Sequence, residues 1–117
     1  MTGNLDISAD TSLRAARAIS KLLFGGSQYR VEIGAAIADG FASAKPVNTA
    51  ELADELHVSR QSVNHELQLL ERAGLLIRIE PDSGRKVFFL VQESHYWEWC
   101  REARARAATM LARVARF

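Results

Sequence analysis

Residues 48–74 hold two short amphipathic segments separated by three residues, and this arrangement restricts the fold more than any other part of the chain. Asn48 stands where a helix cap is needed, and Glu51 stands where a capping-box side chain reaches back. Leu52, Ala53 and Leu56 share one apolar face, which predicts a helix over Thr49 to Leu56. His57-Val58-Ser59 then turns the chain, and Ser59 caps a second helix, Arg60 to Ala73, with Val63, Leu67 and Leu70 as its apolar stripe. Gly74 supplies a left-handed stop, with Leu75 placed to touch Leu70.

Leu76 to Glu80 and Lys86 to Val91 are rich in β-branched and aromatic residues, and Pro81-Asp82-Ser83-Gly84-Arg85 has the chemistry of a turn between them. Two short helices joined by a tight turn and followed by a hairpin form a helix-turn-helix with a wing. Upstream, Met1 to Asp10 is polar and reads as a flexible N-terminus, and Thr11 to Phe24 reads as a helix ended by Gly25-Gly26-Ser27. Gln28 to Asp39 reads as another helix, with Gly40 as its stop and Phe41 to Val47 as a connector or short strand. Ser94 to Phe117 reads as a long final helix. The expected class is therefore mostly α with a small β-hairpin wing. Residues 11–93 form the winged domain, and residues 94–117 form a helix that makes an α-helical dimer interface.

A chain of 117 residues suits one domain. The net charge of +1 gives no global basic field, but a local basic surface suffices to meet phosphate. Up to Val58 there are five basic and seven acidic residues, and from Ser59 there are ten and seven, so the second half is the candidate for such contact. Cys100 is the one cysteine, which excludes an intramolecular disulfide and an all-thiolate zinc site. With no signal-peptide pattern and no long apolar run, a cytoplasmic location without membrane contact is expected.

The side of Arg60 to Ala73 opposite its apolar stripe carries Gln61, Asn64, His65 and Gln68, flanked by Arg60 and Arg72. Asn and Gln pair bidentately with adenine and Arg with guanine. A face shaped only for solubility would carry Glu and Lys instead. This predicts double-stranded DNA as the partner, with the helix in the major groove and Ser59 capping it near a phosphate. Arg85 and Lys86 at the wing tip, and Arg78 one strand across, are expected on the flanking backbone, with Asp82 opposing them.

Phe24 to Ile33, Glu51 to Ser59, Ser62 to Leu70 with Ala73 to Leu76, and Arg85 to Leu90 together resemble the ArsR-type repressors. The motifs mark winged helix regulators and separate the ArsR type from MarR-like families less sharply. The resemblance implies a homodimer, a palindromic operator, repression and room for a small-molecule effector. It also implies metal sensing in many members. Here the first motif helix lacks the paired cysteines, and Glu93, His95 and Glu98 match only half of the site on the last helix, so neither a metal nor a cofactor is expected.

Tyr96, Cys100, Ala103, Ala107, Met110, Val114 and Phe117 follow alternating spacings of four and three, a heptad seam. Part of that stripe packs on its own domain, and the rest is expected to form the dimer seam together with the first helix. Cys100 on it is either a small buried hydrophobe or a redox sensor. A pocket is expected between the first and last helices near Trp97 and Trp99. Catalysis is not expected, since no phosphate loop, nucleophile elbow or ligand cluster is present in the sequence. The competing reading is a winged helix that docks on another protein and makes no contact with DNA.

Overall fold

The computed structural model of the protein describes residues 2–41, 46–79 and 88–114. Eight elements follow in order: α1 Thr2–Leu23, α2 Arg30–Phe41, β1 Val47–Asn48, α3 Thr49–Leu56, α4 Arg60–Arg72, β2 Leu76–Ile79, β3 Phe88–Val91 and α5 His95–Val114. The mostly helical winged architecture is the one expected.

Local chemistry sets the central elements. The Asn48 carboxamide oxygen accepts from the Glu51 amide at 3.0 Å and starts α3. His57 ends α3 in the left-handed region at φ 56°, and the Val58 amide donates to the Ala53 carbonyl. The Ser59 hydroxyl accepts from the Ser62 amide and opens α4. At the far end Gly74 takes φ 80°, and the Leu75 amide donates to the Leu70 carbonyl at 2.9 Å. These bonds satisfy helix-terminal groups that would otherwise lack partners, and they fix the angle between α3 and α4.

Two helix boundaries differ from expectation. The first helix begins at Thr2, so residues 2–10, read as a flexible tail, are helical. No proline interrupts that stretch, Gly3 costs only about 1 kcal/mol, and Asp10, Thr11 and Ser12 lie inside the helix instead of capping it. The second helix runs on through Gly40 to Phe41, so Gly40 is not its stop. Of the two readings of the segment before α3, the short strand holds at its end: β1 joins the hairpin in the order β1-β3-β2, with Val47 opposite Phe89 and Asn48 opposite Phe88. A two-residue strand is too short to show a period.

Two apolar clusters make the core. One gathers Ile33, Ile37, Leu52, Val58, Val63, Leu67, Leu70, Leu76, Phe89 and Trp97 beneath α4 and the sheet. The Trp97 indole N–H donates to the Gln92 carbonyl at 2.7 Å, which anchors the start of α5. The other gathers Ala15, Ala16, Ile19, Val31, Ala103 and Ala107, where α5 lies against α1 and α2. Small residues let these helices approach closely. A Cβ placed on Gly34 of α2 would collide with Cys100 Sγ.

This packing occupies the middle of the stripe expected as a dimer seam, the part that lies on its own domain. Cys100 and Ala107 are completely buried, and Ala103 nearly so, within a single chain. Met110 is half-buried on the same cluster, and Tyr96 is half-buried beside the other. The stripe is the contact of α5 with its own α1 and α2, because those two helices leave an apolar channel that only a small-residue face can fill. The Val114 side chain and Phe117 lie outside the described residues. Burial pushes the Cys100 thiol up to about 11, against a smaller opposing hydrogen bond with Tyr96, so it is protonated at neutral pH. Cys100 is thus the small buried hydrophobe of the two readings.

Gly34→Ala should overpack this crossing and lower stability by about 1–3 kcal/mol despite its better helix propensity. Urea denaturation of the variant beside the unaltered protein checks this; equal midpoints would mean that the crossing is loose.

Candidate nucleic-acid interface

The candidate face begins with the register of α4. Val63, Leu67 and Leu70 point into the core, which turns Arg60, Gln61, Asn64 and His65 outward as exposed side chains and leaves Gln68 half-exposed. Arg72 is exposed at the end of the helix. Ser59 is exposed at its start, where its hydroxyl also donates to Ser62 Oγ at 2.9 Å. The structure therefore brings seven of the expected residues onto one helix and its cap, with four hydrogen-bonding side chains at its centre.

The remaining three divide. Arg78 lies on β2 on the same face as buried Leu76, 5.5 Å above the Phe89 ring, and its guanidinium donates to Glu71 Oε1 at 3.3 Å. The alternation of β2 turns it toward the end of α4, where it remains exposed beside Glu71. Arg85 and Lys86 at the wing tip lie outside the described residues.

An acid on the inner side of α4 was not anticipated. Glu66 is 5% exposed and pairs with Arg30 Nε at 3.0 Å. Arg30, at the first turn of α2, also donates to Ser27 Oγ at 2.9 Å, and it lies 4.9 Å over the Phe24 ring. The signal was present: Glu66 sits three residues after Val63 and next to Leu67, on the apolar side of a helix. No spacing in the sequence points to Arg30 as its partner. A second pair supports the same loop, with Arg17 Nε donating to Glu32 Oε1 at 2.6 Å. Burial raises the Glu32 carboxyl above its ordinary value in spite of Arg17. The Ser20 hydroxyl donates to the Ser27 carbonyl and accepts from the Val31 amide.

These contacts hold residues 26–29 opposite α4 across an open groove of about 600 Å³. Gly26, Ser27, Gln28 and Tyr29 form one wall, and Gln61, Asn64, His65 and Gln68 are on the other. A separate hollow of about 500 Å³ lies among Ala38, Glu93, His95, Trp97 and Glu98, between α2 and α5. The pocket expected between the first and last helices does not coincide with it. Trp97 is buried, while Trp99 is exposed and meets Phe24 edge-on at 5.8 Å. Among the described residues no group of three or more His, Cys, Asp or Glu could hold a metal, and no helix is long and apolar enough to cross a membrane.

The sequence model of the MarR family matches residues 36–86, from the middle of α2 to a point between β2 and β3. No curated protein sequence matches the chain. Among solved structures, MepR, a transcription regulator of the Staphylococcus aureus multidrug efflux pump MepA, superposes with a TM-score of 0.55 at 14% identity, over 93% of this chain and 76% of that one. AbsC, a MarR family transcriptional regulator from Streptomyces coelicolor, gives 0.57 at 18% identity, over 96% and 73%. The likeness shows the winged helix fold. The family match falls on MarR and not on the ArsR type that the motifs resemble. The segments that carried the resemblance are mostly the helix-turn-helix and wing themselves, a pattern common to both.

Arg30→Ala should leave the Glu66 carboxylate buried without its partner and lower stability by roughly 3–5 kcal/mol. The double variant Arg30→Met/Glu66→Leu should recover most of that loss. Equal losses in the two, read by urea denaturation, would show that the pair is not coupled.

Proposed function

We propose that the protein is a sequence-specific DNA-binding regulator of the MarR type, with α4 placed in the major groove. The observation that carries this is the exposed face of α4, where Gln61, Asn64, His65 and Gln68 stand together on a helix locked to the core by its opposite side. Directional neutral donors and acceptors at base-reading spacing suit groove recognition. The match to the MarR family and the likeness to MepR and AbsC support the same reading. The protein is proposed to work as a cytoplasmic repressor, without catalysis, through Ser59, Arg60 and Arg72 on the backbone and Arg85 and Lys86 at the wing.

A homodimer on a palindromic operator completes the proposal, since two copies present two recognition helices to two half-sites. We place its interface away from Cys100, Ala103 and Ala107, which are buried within the chain. The parts of α1 and α5 that the core leaves uncovered include Leu22, Leu23 and Trp99, all exposed, and these are proposed to meet in the dimer.

The test is selection of duplexes from a random library by the purified protein, followed by fluorescence anisotropy. Asn64→Ala or Gln61→Ala should cost about 1–3 kcal/mol on the selected duplex and less on mismatched ones, relaxing specificity. If both variants discriminate as the unaltered protein does, α4 is not the reading element.

A further inference from the structure

The groove beside α4 is not explained by base reading alone. Its second wall belongs to no part of the helix-turn-helix or the wing: it is the loop between α1 and α2. That loop is held in place by the Arg30–Glu66 pair and by Ser20, and its glycines keep it bare. Gly25 and Gly26 take φ 64° and 120°, and a Cβ on either would meet nothing within 4 Å. Gln28 is exposed at the rim.

A helix that enters the major groove is bordered by a ridge of sugar and phosphate on each side. A channel that runs along the base-reading residues therefore faces one of those ridges. The channel suits it chemically. Glu66 is the one acid in its lining, and Arg30 compensates that charge. The other lining side chains are neutral and polar, apart from the titratable His65.

We infer that this groove seats the sugar–phosphate backbone of the strand flanking α4, with the Gln28 amide donating to a phosphate oxygen. The inference rests on the DNA-binding reading above. It adds a third contact element, the α1–α2 loop, to the recognition helix and the wing. Because the donor is neutral, the contact positions the duplex without releasing an extra counterion.

The experiment is anisotropy of the full chain against the duplex it selects and a mismatched duplex, over a salt series. Gln28→Ala should weaken both duplexes alike, by about two- to tenfold, with an unchanged salt slope. Gln28→Lys should tighten binding and steepen the slope by about one. Both changes are at an exposed side chain, so folding is not at stake. If Gln28→Ala and Gln28→Lys both match the unaltered protein while Asn64→Ala loses discrimination, the groove inference fails and the DNA reading stands. If the unaltered protein binds neither duplex at low salt, both fail.

Discussion

The ion pair between Arg30 and Glu66 lies where α2 meets α4, and the groove beside α4 takes much of its form from it. Taking two charges out of water is costly, and their attraction offsets that cost only in good geometry. An apolar residue at position 66 would have slid along Val63 and Leu67 with little penalty. A carboxylate bound to one guanidinium has one place to be. The pair thereby ties α4, whose rotation Val63, Leu67 and Leu70 set, to α2 and, through Ser27 and Phe24, places the loop that faces it.

The long last helix packs the middle of its stripe on its own chain. A heptad stripe states that one face of a helix is buried, and it does not say by what. Cys100, Ala103 and Ala107 are covered by α1 and α2 of the same chain, and Gly34 makes the closest crossing possible. A stripe of such small residues is a sign of tight packing between backbones, which suits a neighbour held by covalent connection as well as it suits a partner. The helices that flank the winged domain thus form a base on which it stands.

Much of the fold was legible because its boundaries are written in single residues. Asn48, Ser59 and Gly74 each mark a terminus by local chemistry, and the structure places a cap or stop at all three. The outward face of α4 was legible because Val63, Leu67 and Leu70 fix its rotation. Arg30, the α1–α2 loop and the redirected Arg78 were not legible, since each depends on a residue distant in sequence or on the alternation of a four-residue strand. The third strand was legible only as one of two alternatives for the same reason: β1 exists through its pairing with Phe88 and Phe89.

The claim at the centre of this account is that α4 presents a base-reading face. Amide chemical shifts of the labelled protein, recorded before and after addition of its selected duplex, test it most directly. The account predicts the largest changes at Gln61, Asn64, His65 and Gln68, with the buried stripe of α5 at Cys100, Ala103 and Ala107 almost unmoved. Changes confined to α5 or to the outer surface of the sheet, with α4 silent, would contradict it.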